Sequence, residues 1–235
     1  MKNSNVNMQQ KERNNLENMK IELEGVSLSS TIHESYKALR TNLLYTEDTK
    51  TIAITSSLPD EGKSVTAYHL AISFAKVGKK TLFIDCDLRK SKMCTYLHIS
   101  SGLPGLSEYL SKQCEDVIFN TTYPELSIMM SGKQPPNPSE LLTGERFNTL
   151  LAKLREEYDY IIIDTPPVSN AVDASIIGRS TDGIVLVIRS DYVKRKIVEK
   201  SKQLLQRNGG TILGVVLNKV DKLQSVYKGY YGNDE

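Results

Sequence analysis

The chain has 235 residues, of which 39% are hydrophobic and 25% charged, and these ordinary values exclude a disordered or fibrous protein and favour one globular domain. Its cysteines, Cys86, Cys94 and Cys114, form no C-x-x-C pair, so neither a disulfide framework nor a zinc site is indicated. The formal net charge of +2 gives no argument for a nucleic-acid partner. Because there is no long apolar run and no signal-peptide pattern, we expect a cytoplasmic protein.

The chain begins with a polar segment and continues with an amphipathic helix. Residues 1–30 are rich in Asn and show no sustained apolar period, which predicts a flexible arm outside the core. From Thr31 to Leu44 apolar side chains recur at helical spacing, and Thr31 with Glu34 predicts a capped start. We predict one domain over residues 31–222.

Five nearly continuous apolar runs alternate with helical patterns along this domain. Such runs are typical of strands buried on both faces of a parallel sheet. The predicted strands are 51–56, 81–85, 160–164, 183–188 and 211–218, and the predicted helices are at about 64–77, 145–157, 171–179 and 193–208. The alternation predicts an α/β fold with a doubly wound, mostly parallel sheet, whose ligands bind at the carboxyl ends of strands.

The loop after the first strand resembles a phosphate-binding loop. Residues 57–64 match G-x-x-x-x-G-K-[ST], except that Ser57 replaces the first glycine. Gly62 allows close backbone approach, Lys63 can reach the β/γ oxygens, and Ser64 can ligate Mg²⁺. We therefore predict a P-loop NTPase of the deviant Walker A type that uses ATP and Mg²⁺. The predicted nucleotide-binding residues of this loop are Pro59, Asp60, Glu61, Gly62, Lys63, Ser64 and Val65.

Three aspartates follow two other strands at the same predicted edge. Asp85 and Asp87 follow one strand, and Asp164 precedes the segment Thr-Pro-Pro. A capping role is common for any single aspartate in such a position. Three carboxylates beside a phosphate loop instead favour a magnesium site, because Mg²⁺ prefers carboxylate, phosphate and water oxygens.

The segments LPDEGKS, FIDCDLR and IIIDTPP together resemble the bacterial tyrosine kinases, in which a variant nucleotide loop precedes a hydrophobic-DxDxR and a hydrophobic-DTPP segment. The resemblance covers about residues 30–235 and includes the proline-rich stretch 131–142. The chain is similar to the split cytoplasmic form of Gram-positive bacteria, which serves capsular and exopolysaccharide export. The resemblance implies a protein-tyrosine kinase that a membrane-bound polysaccharide co-polymerase activates through its cytoplasmic tail and holds at the inner face of the membrane.

The same resemblance implies roles for individual residues. The implied catalytic residues are Lys63, Asp85, Asp87, Arg89 and Asp164. Ser64, Asp87 and Asp164 would hold the metal, directly or through water, and Asp85 would orient or deprotonate the attacking phenol. A proton acceptor is needed because the tyrosine hydroxyl is mostly protonated at neutral pH. Which aspartate acts as the base stays open.

The last residues, 223–235, form a tail with a tyrosine cluster. Tyr227, Tyr230 and Tyr231 lie among glycines, and the tyrosine kinase family ends in a similar cluster. Because glycine interrupts helices, the tail can extend into the site of a neighbouring subunit. These tyrosines are therefore the predicted autophosphorylation sites.

The helix at 31–44 contains ESYKALR, which resembles the family's E-x-x-R-x-x-R interface motif with Lys37 at the middle arginine. Lysine keeps the charge but loses the planar fork of arginine. Glu34 and Lys37 also fit an ordinary local pair on a helix surface. The resemblance implies a ring of subunits with Glu34, Lys37 and Arg40 at the interface.

Three other functions stay open from the sequence. A non-kinase ATPase of the deviant-loop class, acting as a nucleotide-dependent assembly switch, has the same loop and carboxylates. The pattern NKVD at 218–221 raises a GTP-binding switch. In deviant-loop ATPases an Asn at this position commonly meets adenine, so Asn218 is the predicted base-binding residue. The third is a catalytically idle ATP-binding module that controls assembly of a polysaccharide-export complex.

Overall fold

The computed structural model describes residues 20–23, 28–100, 102–169 and 172–220. The strands are β1 (Lys20–Ile21), β2 (Thr51–Ser56), β3 (Thr81–Asp85), β4 (Phe119–Thr121), β5 (Leu126–Met129), β6 (Tyr160–Asp164), β7 (Gly183–Arg189) and β8 (Ile212–Asn218). The helices are α1 (Ser30–Leu44), α2 (Lys63–Ala75), α3 (Met93–Tyr96), α4 (Leu106–Leu110), α5 (Pro138–Thr143), α6 (Glu145–Glu157), α7 (Asp173–Arg179) and α8 (Arg195–Arg207). Tyr227, Tyr230 and Tyr231 lie outside the described residues.

The strands form one sheet with the order β1-β4-β5-β3-β6-β2-β7-β8. Neighbouring strands are parallel except β4 and β5, which are antiparallel. The predicted α/β fold with a doubly wound, mostly parallel sheet is confirmed. Within the described ranges, no helix combines the length and the apolar character that a bilayer crossing requires.

Two apolar cores cover the two faces of the sheet. Ile161 and Ile163 of β6 belong to the core beneath α6, α7 and α8, whereas Ile162 belongs to the core beneath α1 and α2. This alternation follows from the two-residue period of a strand, and it explains why the central strands are apolar throughout. Full burial of each such side chain contributes about 1.5–3 kcal/mol.

Part of the predicted N-terminal arm belongs to this fold. The strand Lys20–Ile21 pairs with β4 in parallel, and the Leu23 amide donates a hydrogen bond to Thr122 Oγ1 at 3.3 Å. Ile21 and Leu23 are both buried in the core beneath α1 and α2. The prediction that residues 1–30 lie outside the core is therefore wrong for these side chains.

Two local predictions are also wrong. The helix α1 is capped by Ser29, whose hydroxyl accepts a hydrogen bond from the Ile32 amide at 3.5 Å, and Thr31 lies inside the helix. Strand β8 is not buried on both faces, because it forms an edge of the sheet and exposes 57% of Val215 and 57% of Leu217.

Candidate functional site

The carboxyl ends of β2, β3 and β6 bring the predicted segments together. The strand register pairs Asp164 of β6 with Asp85 of β3 on one side and with Ile54 of β2 on the other. The loop 57–62 continues from β2, and α2 begins directly after it. The nucleotide loop and both aspartate segments therefore lie at one edge of the sheet, as the sequence predicts.

The backbone of the loop explains why it needs one glycine and not the other. Gly62 has a φ of +93°, and a Cβ there would lie 2.1 Å from the side-chain nitrogen of Asn218. Both the positive φ and the lack of room for a Cβ therefore require glycine at position 62. Ser57 is fully buried but lies outside the left-handed region. The serine in place of the first glycine consequently causes no backbone strain.

Glu61 supports the loop from inside the protein. Its carboxylate is fully buried and accepts hydrogen bonds from the amides of Leu58 at 2.7 Å and Arg189 at 3.1 Å. The Glu61 carbonyl accepts a hydrogen bond from Asn218 Nδ2 at 2.9 Å. The side chains of Glu61 and Asn218, both predicted to contact the nucleotide, thus tie the loop to the ends of β7 and β8.

The remaining predicted loop residues lie at the tip of the loop and in the first turn of α2. Pro59 and Asp60 are exposed at the tip, where Asp60 has a φ of +62° and lies 3.4 Å from Lys92 Nζ. Val65 is half-buried in the first turn of α2. The amides at the start of α2 form an N-terminus of the kind that binds phosphate groups.

Lys63 lies at the centre of the site. Its Nζ is 3.0 Å from Ser64 Oγ, 3.3 Å from Asp164 Oδ1 and 3.5 Å from Asp87 Oδ2. Both carboxylates are almost completely buried. The three predicted metal ligands, Ser64, Asp87 and Asp164, therefore converge on one cationic atom.

The same donors suit a magnesium ion. Hydroxyl and carboxylate oxygens are the ligands that Mg²⁺ prefers, together with water and the phosphates of a nucleotide. Among the described residues, no group of three or more His, Cys, Asp or Glu side chains forms a metal site by itself. Ser64, Asp87 and Asp164 thus fit a metal that nucleotide phosphates help to hold, as in other phosphate loops.

Burial shifts the protonation of the central groups. It raises the pKa of Asp85 to about 7, and the neighbouring Asp164 charge adds to this effect. Burial also raises the pKa of Asp164, although Lys63 and Ser64 oppose it. For Lys63, burial acts to lower the pKa, but the carboxylates of Asp164, Asp87 and Asp85 outweigh it, so its pKa lies above the ordinary value. Lysine therefore stays charged among the carboxylates.

Asp85 and Asp87 hold the turn that follows β3. Asp85 Oδ1 accepts a hydrogen bond from the Asp87 amide at 3.1 Å, and its Oδ2 accepts one from the Ser91 hydroxyl. Asp87 Oδ1 accepts hydrogen bonds from the amides of Arg89 at 3.3 Å and Lys90 at 3.0 Å. One oxygen of Asp87 thus faces its own turn, while the other faces Lys63.

Arg89, predicted as catalytic, binds two residues that the sequence analysis missed. Its Nε lies 2.7 Å from Asp173 Oδ2, and its Nη2 lies 2.8 Å from Ser139 Oγ. Ser139 belongs to the proline-rich stretch and Asp173 begins α7, shortly after the Thr-Pro-Pro segment. A buried acid opening a helix near a motif is too weak a signal to identify Asp173 from the sequence.

The predicted interface residues divide into two groups. Lys37 Nζ and Glu34 Oε1 are 2.6 Å apart on the surface of α1, which is the ordinary local pair. Arg40 Nη1 donates to the Ser73 carbonyl at 2.9 Å and to its hydroxyl at 3.1 Å. Arg40 therefore anchors α1 on α2 within one chain, and its role between subunits stays a prediction.

Comparisons with known proteins identify relatives of this chain. The family described as "AAA domain" matches residues 49–207. The chain is 43% identical over 203 residues to the tyrosine-protein kinase CpsD of Streptococcus agalactiae, covering 85% of this chain and 88% of that one. It is 38% identical over 215 residues to the putative tyrosine-protein kinase CapB of Staphylococcus aureus, covering 87% and 92%. The crystal structure of the chimerical protein CapA2B2 matches with a TM-score of 0.79 and 34% identity, covering 87% and 95%.

Proposed function

The chain belongs to the bacterial tyrosine-protein kinases and is a protein-tyrosine kinase, and from this premise we propose that it uses ATP and Mg²⁺ to phosphorylate Tyr227, Tyr230 and Tyr231 of a neighbouring copy. We further propose that this phosphorylation regulates capsular or exopolysaccharide synthesis and export. The names of its relatives support the kinase activity, and the tail sequence supports the choice of substrate.

One observation carries the proposal: Lys63 Nζ lies within 3.5 Å of oxygens from Ser64, Asp87 and Asp164, directly after a phosphate-binding loop. Phosphoryl transfer depends mainly on positioning and on neutralising the charge of the phosphates. In the proposed reaction Lys63 neutralises the transferred phosphoryl group. Ser64, Asp87 and Asp164 would hold a Mg²⁺ ion, which would supply positive charge to neutralise the phosphate groups.

The proton acceptor is constrained by burial. Asp85 has a pKa near neutrality, which suits a general base, but its carboxylate is fully buried and accepts the Ser91 hydroxyl. A tyrosine hydroxyl would reach Asp85 only if Ser91 moved aside. Asp87 keeps a small exposed fraction and is the more accessible carboxylate of the DxD pair. Asp87, however, is a metal ligand in this proposal, with Oδ1 bound to two amides and Oδ2 facing Lys63, so Asp85 is the carboxylate that accepts the phenol proton once the Ser91 hydroxyl has moved.

The proposed partner is a membrane-bound polysaccharide co-polymerase whose cytoplasmic tail activates the kinase and localises it at the inner face of the membrane. The matched CapA2B2 chimaera supports this partnership by its name, because it joins a CapA part to a CapB part. We also propose a ring of subunits that exchange tails. The exposed α1 pair and the tail tyrosines support this arrangement.

The test is phosphotyrosine mass spectrometry of the full chain after incubation with ATP and Mg²⁺, with and without a candidate activator tail. We expect phosphate on the tail tyrosines in the parent and none in Lys63→Met. The matched control is Lys153→Met, which removes a lysine that is 72% exposed on α6, and it should behave like the parent. ATP hydrolysis with unmodified tyrosines, despite a bound activator, would instead establish the nucleotide-dependent assembly switch.

A further inference from the structure

A buried acid outside the three motifs organises one side of the site. The Asp173 side chain is 1% exposed at the first residue of α7. Its Oδ2 accepts from Arg89 Nε at 2.7 Å, and its Oδ1 accepts from Arg89 Nη2 at 3.3 Å and from Ser139 Oγ at 2.5 Å. Both oxygens are therefore used, and the contact with the arginine is bidentate, which fixes the plane of the guanidinium group.

This contact connects to Asp87 through the backbone of Arg89. Arg89 is two residues beyond Asp87, and its amide donates to Asp87 Oδ1 at 3.3 Å, next to the Lys90 amide at 3.0 Å. The other carboxylate oxygen, Oδ2, faces Lys63 Nζ at 3.5 Å. Because the two oxygens belong to one rigid group, the turn that holds Oδ1 also sets the direction of Oδ2.

The contacts of Arg89 with Asp173 and Ser139 join three separate segments of the chain. The turn after β3 is a loop, α5 carries Ser139, and α7 carries Asp173, and the sequence separations to Arg89 are 50 and 84 residues. Arg89 keeps 39% of its side chain exposed, so without Asp173 its long side chain can sample solvent. The turn would then lose its side-chain tie to α7 and keep only the hydrogen bonds that Asp85 and Asp87 accept.

We propose that Asp173 is a positioning residue for the metal site, which holds Arg89 and through it the turn that directs Asp87, and that Ser139 orients the Asp173 carboxylate. The inference rests on the proposed function, in which Asp87 is a ligand of Mg²⁺. Residues that orient metal ligands typically change metal affinity by about 10- to 100-fold when they are lost. Asp173 and Ser139 act on Mg²⁺ use without contacting the metal or the nucleotide.

The test measures the binding of a non-hydrolysable ATP analogue to the full chain by calorimetry at a series of Mg²⁺ concentrations. For Asp173→Asn we expect the Mg²⁺ concentration that half-saturates the enhancement of binding to rise about tenfold, with little change in binding without Mg²⁺. Ser139→Ala, which removes one hydroxyl, should shift it in the same direction by about threefold. The Ser139→Ala variant keeps the test decisive if Asp173→Asn does not fold.

The matched control is Asp182→Asn. Asp182 also accepts a short contact from an arginine, with Arg155 Nη2 at 2.6 Å from its Oδ1, but it precedes β7 at the opposite edge of the sheet. It should leave the Mg²⁺ dependence unchanged. This inference alone is overturned if Asp182→Asn raises the half-saturating Mg²⁺ concentration as much as Asp173→Asn does. It is also overturned if the parent depends on Mg²⁺ and neither Asp173→Asn nor Ser139→Ala changes that concentration. A parent whose nucleotide binding ignores Mg²⁺ overturns the proposed metal use as well.

Discussion

The two edges of the sheet use partly or fully buried aspartates in opposite ways. At the amino edge, Asp182 accepts hydrogen bonds from the amides of Lys50 at 2.9 Å and Thr51 at 2.7 Å, and from Arg155 Nη2 at 2.6 Å. Burial acts to raise the pKa of Asp182, but these donors outweigh it, and its pKa lies below the ordinary value. This carboxylate is stable as an anion.

At the carboxyl edge the carboxylates of Asp85 and Asp164 are compensated less completely. Asp85 and Asp164 end neighbouring strands, and the pKa of each is raised, first by burial. Lys63 is the cation that Asp164 and Asp87 share. Hydrogen-bond donors can therefore compensate the charge of a carboxylate where the fold needs stability. At a site that binds a cation, the charges of the carboxylates can stay incompletely compensated. Under the proposed function, the carboxyl edge would gain affinity for Mg²⁺ at the expense of folding free energy.

The largest expected effect is a pH dependence caused by Asp85. Its pKa rises from 3.8 in ordinary surroundings to about 7 in the folded chain, so between these values the folded state binds more protons than the unfolded state. The free energy of unfolding should therefore fall as the pH rises through this window, by on the order of 1–4 kcal/mol from this group. Urea unfolding of the nucleotide-free chain from pH 5 to pH 8 measures the slope.

Asp85→Asn is the variant that isolates this contribution. It removes the titrating group and keeps the size of the side chain, so the gap in stability between variant and parent should grow in favour of the variant as the pH rises. A parallel pH dependence in the two proteins would show that Asp85 is already ionised at pH 5. The contrast between the two edges would then be lost.

The next effect concerns the amino edge. Asp182→Asn removes the charge that Arg155 and the amides stabilise, and we expect a loss of about 2 kcal/mol in the free energy of unfolding at pH 7, because hydrogen bonds to charged groups contribute about 1.5–3 kcal/mol. The loss should shrink at low pH, where the parent's Asp182 becomes protonated below its lowered pKa. Kinase activity at a temperature where both proteins are folded should be unchanged.

Much of this fold follows from local sequence, and the exceptions have physical reasons. The central strands were predictable because burial on both faces requires continuous apolar runs, as in the residues of β6. Strand β1 was missed because Lys20–Ile21 is too short to show a period. The exposure of β8 was missed because an edge position depends on the order of strands, which one segment does not encode.

The residues of the candidate site also divide into those whose position the sequence predicted and those that it missed. The convergence of Lys63, Ser64 and the aspartates at one edge was predictable, because the carboxyl ends of parallel strands meet there. Asp173 and Ser139 were missed because their role exists only through contacts with Arg89 over separations of 84 and 50 residues. The buried position of Glu61 was missed for a related reason, since its partner amide at Arg189 lies on another strand.

The smallest expected effect compares two hydroxyls at the two ends of β2. Thr51 Oγ1 donates to Asp182 Oδ2 at 2.9 Å and accepts from Arg155 Nη1 at 2.8 Å, whereas the buried Ser57 hydroxyl has no hydrogen-bond partner among the described residues. Thr51→Val should cost about 1–2 kcal/mol in the free energy of unfolding, because it leaves charged partners unsatisfied. Ser57→Ala should raise the free energy of unfolding by up to about 1 kcal/mol and leave nucleotide affinity unchanged, because it removes a buried hydroxyl that has no partner in the fold. Urea unfolding and calorimetric binding of the ATP analogue measure both variants. If Ser57→Ala instead weakens nucleotide binding several-fold, the Ser57 hydroxyl forms a hydrogen bond with the bound nucleotide. The carboxyl edge then contributes a neutral donor to the nucleotide site in addition to its carboxylates.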